Sequence, residues 1–190
     1  MKGHILFLGL FLVFGLTSFS QENNNSYEKI LHERTKQLKL DEISNGYDSI
    51  QIRIWPRFYC GCKAINFPDL IVLKNYNNEW YGESYYVNSE VNYYQVVREY
   101  ETRYFNPTSS WIEFLNEINI KEIIELEAIS DSVYVNTVIA DGYVDLIEIA
   151  TKESYKFIVF KQTRLYIEKY DQARIFCNLN DILVNNVSKK

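Results

Sequence analysis

Three groups of residues in this chain have types and spacings that could do chemistry. The first is Cys60-Gly61-Cys62, with Cys177 as the third cysteine. Two thiolates separated by one small residue can face a common atom, as in a soft-metal site for copper(I) or a redox pair. Such a site calls for further Cys, Met or His ligands, yet beyond residue 20 the chain offers one other Cys, one His and no Met. No metal or other cofactor is therefore expected. A structural disulfide is the plainer use of cysteine in an exported domain. Bridging Cys60 to Cys62 would close a small strained ring, so the expected bridge joins Cys60 or Cys62 to Cys177. A loop of that length would stabilise by about 4 to 5 kcal/mol in the chain-entropy model. The rival arrangement leaves Cys177 as a buried thiol and the CGC pair open to metal or redox work.

The second group is carboxylates. Glu99 and Glu101 lie two apart on an extended segment, and Asp141, Asp145 and Glu148 surround a later turn. A glycosidase needs two carboxyls roughly 5 to 9.5 Å apart across a cleft. With Arg98 and Arg103 close by, a solvated strand face is the simpler reading. His32 is the one histidine beyond residue 20, and it falls among charged neighbours in SYEKILHERTKQL. One histidine with no partner in view does not make a base. The chain has no GxSxG, phosphate-binding glycine loop, HExxH or EF-hand loop.

The third group is aromatic. Eight of the 16 tyrosines lie between Tyr76 and Tyr104, with Trp80 among them. Rigid amphipathic rings suit recognition of a protein or glycan surface, and Trp80, Tyr81, Tyr85, Tyr86 and Tyr93 are the candidate binding residues. Tyr94, Tyr100 and Tyr104 share a strand face and are assigned to the core. The pairs Tyr85-Tyr86 and Tyr93-Tyr94 put one ring on each face.

The elements that must position these groups follow from periodicity. Tyr27, Ile30, Leu31 and Leu38 recur at helical spacing, with Ser26 available as a cap. SIQIRIW alternates Ile50, Ile52 and Ile54 against Gln51, Arg53 and Trp55, as a strand with one buried face would, and Pro56 should end it. DLIVLKNYNNEWYGESYYV predicts a hairpin turning at Tyr76-Asn77-Asn78, and VNYYQVVREYETRYF a fourth strand. Ser110 with Glu113 forms a capping box ahead of Trp111, Phe114, Leu115 and Ile118, and Asn119 with Glu122 repeats the pattern for a helix to about Leu126. Strands are expected again at Val133 to Val138, in YVDLIEIA after an Asp141-Gly142 turn, and in YKFIVFK. Phe176, Leu179, Leu183 and Val187 then line one side of a terminal helix, opposite Arg174, Asn178, Asp181 and Asn185. This order gives an α+β class: a mainly antiparallel meander sheet of about six strands carrying N-terminal, central and C-terminal helices.

The order of features resembles a group of uncharacterised secreted Bacteroidetes proteins of flavobacterial type. The resemblance is carried by DSIQIRIWP, the Trp in NNEWYGE, the helix opened by Trp111, the Asp141-Gly142 turn before YVDLIEI, a Tyr-led strand and an Ala-containing terminal helix. It covers Ser49 to Val187. It implies a shared fold and an exported location, and no activity, so no catalytic residue is carried over. The chain departs from the pattern at FYCGCKAINFP and FKQTRLYIEKY.

Composition narrows the function classes. With 47% hydrophobic residues this is not a disordered chain, and a net charge of -5 without clustered Lys and Arg argues against nucleic acid. Residues 1–20 read as a signal peptide: Lys2 near the start, an apolar run from Ile5 to Leu16, then small residues ending at Ser20. The run is too short for a span of roughly 20 residues, and no membrane span is expected in the mature chain. Residues 21–25 and 188–190 should be frayed ends of a single domain over 26–187. The combined expectation is a periplasmic or extracellular, non-catalytic binding or structural domain with a protein or glycan partner. A small carboxylate enzyme or a CxC metal or redox protein is the alternative. Mass spectrometry of the exported protein is expected to show a chain starting at Gln21; a full-length chain held in the membrane would overturn this.

Overall fold

The computed structural model describes residues 27–59, 67–88, 97, 99–128 and 143–187. The chain divides into two compact units, Met1–Asp41 and Glu42–Lys190. In the first, helix α1 spans 27–37. Leu31 and Leu38 are buried, as the apolar stripe requires, and His32 is exposed.

The second unit is built on one open sheet of six strands. These are β1 (Ile50–Tyr59), β2 (Leu70–Tyr76), β3 (Glu79–Asn88), β4 (Glu99–Phe105), β5 (Val144–Thr151) and β6 (Tyr155–Lys161). Their order is β4-β3-β2-β1-β5-β6, and every neighbouring pair is antiparallel. The four-strand meander expected before residue 106 is present, but the chain then crosses over so that β5 pairs with β1. Helices α2 (Trp111–Glu117) and α3 (Ile120–Glu125) lie in that crossover, and a 3-10 turn at Thr163–Tyr166 leads to α4 (Asp171–Val187). The expected strand at Val133 to Val138, the Asp141-Gly142 turn and Ser26 lie outside the described residues. Among the described residues no helix is long and apolar enough to cross a membrane.

β1 corrects two expectations. Pro56 does not end the strand; the pairing with β5 slips between Trp55 and Tyr59, and Arg57 takes a left-handed φ of 52°. A bulge is where a strand tolerates a residue that lacks an N–H. Nor is one face open. With β2 on one side and β5 on the other, Ile52 and Ile54 are buried on one face and Gln51, Arg53 and Trp55 on the other. The β2–β3 hairpin turns where expected. Asn77 and Asn78 have φ of 50° and 65°, the two left-handed residues of a type I′ turn, which matches the strand twist.

The Ser110–Glu113 capping box forms in both directions: the Glu113 N–H donates to Ser110 Oγ at 3.2 Å and the Ser110 N–H to Glu113 Oε2 at 3.0 Å. Its repeat at Asn119 does not form. Asn119 has φ 50° and makes no side-chain cap, because it is already used as the left-handed residue that stops α2. In α4 the expected stripe of Phe176, Leu179, Leu183 and Val187 is buried, and Arg174, Asn178, Asp181 and Asn185 are exposed. Phe176 stacks on Phe160 of β6 with ring centroids 4.6 Å apart. The Asn186 side chain accepts from the Thr108 N–H and Oγ1, both at 3.2 Å, tying the segment ahead of α2 to α4.

One close approach fixes β3 against β4. Phe105 lies opposite Gly82, and its ring covers the glycine so closely that an added Cβ would sit 2.6 Å from Phe105 Cε1. Phe105 in turn contacts Trp111 at 6.1 Å between centroids. Gly82→Ala is therefore expected to lower unfolding stability by about 1–3 kcal/mol through overpacking, measured as an earlier urea midpoint with an unchanged slope. An unaltered midpoint would show that the ring can move aside.

Candidate functional site

Cys177 is a free thiol, buried on α4, and burial pushes its pKa up to about 11. The structure thus shows a thiol where the bridge to Cys60 or Cys62 was expected, and those two residues lie outside the described set. A stripe of α4 that turns into the core gives the sulfur an apolar setting in which it can remain protonated.

The expected carboxylates do not converge. Glu99 and Glu101 are exposed on β4, and Glu101 accepts from Arg103 Nε at 2.7 Å and Nη2 at 2.9 Å. β5 is four strands away, about 19 Å at the usual strand spacing. Asp145 and Glu148 lie an odd number of residues apart on β5 and so leave opposite faces of the sheet. Asp141 is outside the described residues. Among the described residues no group of three or more His, Cys, Asp or Glu is placed to hold a metal ion.

Both β5 acids are instead held internally. Glu148 accepts from Trp55 Nε1 at 2.9 Å and from the Tyr155 hydroxyl at 3.1 Å, and its Oε1 lies 4.0 Å from Arg53 Nη1. Burial raises its pKa, and Arg53 and the two hydrogen bonds act against that rise. Asp145 accepts from the Arg57 N–H of the β1 bulge at 2.8 Å and from Thr163 Oγ1 at 3.1 Å. Burial raises its pKa to about 6, although both hydrogen bonds and the charges of Arg57 and Arg164 pull it down.

The tyrosines separate by strand parity. On β3, Trp80, Gly82, Ser84 and Tyr86 face the helix side, and Glu79, Tyr81, Glu83 and Tyr85 face the other. Of the candidate binding residues, Trp80 packs partly buried against the core, and Tyr86 lies under Arg103, whose guanidinium carbon is 4.4 Å from the ring centroid. Tyr85 is only 7% exposed and Tyr93 is outside the described residues. Among the described members of the set, Tyr81 alone is exposed, at 43%.

Two residues that the sequence did not nominate join it. Tyr104, assigned to the core, is 77% exposed, because Phe105 next to it takes the helix-side position over Gly82. Tyr100 is half-buried and Tyr94 lies outside the described residues. Tyr76, at the end of β2, is 58% exposed. Tyr104 is opposite Glu83, and Tyr76 is opposite Glu79. Both are therefore diagonal neighbours of Tyr81 on one face, about 7–8 Å away.

Carboxylates hold this corner in place. The Tyr81 hydroxyl donates to Glu79 Oε2 at 2.7 Å, and the Tyr85 hydroxyl to Glu83 Oε2 at 2.9 Å. Lys74 Nζ reaches Glu83 at 2.9 Å. The hydrogen bond to Glu79 raises the Tyr81 pKa, so the phenol stays protonated. The signal that could have found this surface was Gly82: a glycine in mid-strand marks the close approach of a large ring, hence the parity of Phe105 and Tyr104.

No protein-family model, curated protein or solved structure matches the chain.

Asp145 binds its proton more tightly in the folded than in the unfolded chain. Its stabilising contribution is complete below the ordinary carboxylate pKa near 4 and is lost as pH rises through about 6. The shift corresponds to about 2–3 kcal/mol at most. In Asp145→Asn the amide oxygen still accepts from Arg57, and the amide nitrogen can donate to Thr163. The variant is expected to gain stability over the wild type as pH rises from about 4 to 7 and to hold that gain above it, read from paired urea melts. A constant difference across that range would mean that Asp145 is ionised throughout.

Proposed function

We propose that this is an exported, non-catalytic recognition domain, related to the secreted Bacteroidetes proteins that its features resemble, and that it binds through the tyrosine face of the β2–β4 corner. The observation that carries the reading is the set Tyr76, Tyr81 and Tyr104, exposed together on one sheet face. Binding surfaces are enriched in tyrosine because a ring with two side-chain torsions supplies large contact area at little entropic cost. Here the hydrogen bond to Glu79 also orients Tyr81 before any partner arrives. The placement of Asp145 and Glu148 on opposite faces, each engaged by protein donors, favours recognition over carboxylate catalysis. The signal-like start, with its apolar run from Ile5 to Leu16, supports a periplasmic or extracellular setting.

Photo-cross-linking from an unnatural benzoylphenylalanine at position 104, in cells exporting the protein, tests this. A discrete protein or glycan adduct is expected from that position and not from position 165, where Leu165 is comparably exposed at 64%. The adduct should disappear in a Tyr76→Ala, Tyr81→Ala background. Equal labelling from both positions, or none at 104, would overturn the assignment.

A further inference from the structure

Within the protein, Arg103 shows what a tyrosine and a glutamate directly opposite each other on neighbouring strands can hold. Its guanidinium lies over the Tyr86 ring, 4.4 Å from the centroid, while Glu101, opposite Tyr86 on β4, clamps it through both oxygens at 2.7 and 2.9 Å. The other face of β3 carries the same residue types without the cation, here two positions apart on one strand. Tyr81 and Glu79 are joined by a 2.7 Å hydrogen bond, both are exposed, and Tyr76 and Tyr104 flank them. Among the described residues no cation lies over Tyr76, Tyr81 or Tyr104. We propose that the Glu79–Tyr81 corner docks a basic peptide segment of a partner protein, seating an arginine or lysine head between the Tyr81 ring and the Glu79 carboxylate.

The inference rests on the recognition reading and adds the chemistry of the partner. The donors of the corner are largely spent. The Tyr81 proton goes to Glu79, the Tyr85 proton to Glu83, and the Lys74 ammonium to Glu83. What stays open is the second oxygen of Glu79, phenol lone pairs and ring faces, all of which complement a cationic donor. A phenol that donates to a carboxylate also has a more electron-rich ring, which strengthens its attraction for a cation. Charge points the same way. Glu83 neutralises Lys74, which leaves Glu79 as the unbalanced charge of the corner, in a chain of net charge -5. A guanidinium suits the site better than an ammonium, because its plane can stack on the ring while its edge donates to the carboxylate.

The test is titration of the exported protein with a repeating arginine–glycine peptide and with the same peptide carrying neutral citrulline for arginine. Binding of the arginine peptide is expected, weaker by about tenfold for the citrulline form and falling with added salt. Glu79→Gln and Tyr81→Ala should each weaken it about fivefold, in line with a cation held by ring and carboxylate. Glu117→Gln, which removes the same charge from an exposed site on α2, should leave it unchanged. Equal losses in Glu79→Gln and Glu117→Gln would reduce the effect to non-specific attraction and overturn the inference. Equal binding of both peptides, or of neither, would also overturn it. If the position-104 adduct still forms in those cases, the recognition reading survives and only the cationic partner is lost.

Discussion

An arginine sits in the middle of the sheet, and the structure is organised around satisfying it. Arg53 is 1% exposed on β1, with strands on both sides. A guanidinium cannot shed its proton, so burial there demands an anion and acceptors within reach. Glu148 supplies the charge from the neighbouring strand, directly across the register. The Gln51 amide oxygen, turned toward it, accepts from Nε at 3.0 Å and Nη2 at 3.2 Å. Glu148 is in turn fixed by Trp55 and Tyr155, which places one connected polar cluster across β1, β5 and β6. Removing one partner of such a pair typically costs about 3–5 kcal/mol, since the other charge is then left buried and uncompensated. The same strands carry the main apolar layer on the opposite face, from Ile52 and Ile54 to Ile147 and Ile149, with Asp145 as its buried polar residue on β5.

The polar strip continues toward the other edge and changes character there. Across β2 and β3 it becomes Lys74–Glu83–Tyr85, partly buried, and at the corner it becomes Glu79, Tyr81, Tyr76 and Tyr104, open to solvent. One sheet face thus grades from enclosed ion pairing to an exposed aromatic surface. The Glu79 carboxylate in the exposed part is already engaged by the Tyr81 phenol, so the surface is stiffer there than one that would lose entropy on binding.

Local rules made much of this legible in the sequence. The Asn77-Asn78 turn, the Ser110–Glu113 box and the Phe176 to Val187 stripe each depend on residues within a few positions of one another, and each formed as read. Most of what failed depended on neighbours distant in sequence. Whether Pro56 ends a strand or bulges within it is decided by β5, and whether both faces of β1 are buried by its place in the strand order. Which tyrosines are exposed departs from the sequence reading, because alternation fixes which tyrosines share a face but not which face the helices cover. Phe105 settled that by packing over Gly82, and it carried Tyr104 outward. Asn119 offered two legitimate roles, helix stop and helix cap, and the earlier helix took it.

The pairing of β1 with β5 also bears on how the chain reaches this state. β1 to β4 form a meander and β5 with β6 a hairpin, so both halves can assemble from contacts close in sequence. Joining them is another matter, because Trp55 and Glu148 are 93 residues apart. Closing so long a loop is an entropic barrier that precedes any reward from the contacts it permits. Until the halves meet, Arg53 and Glu148 remain hydrated and Ile52 and Ile147 lack each other. The central seam is therefore the expected slow step of folding, and before it closes two unfinished sheet edges would stand open to the wrong partner.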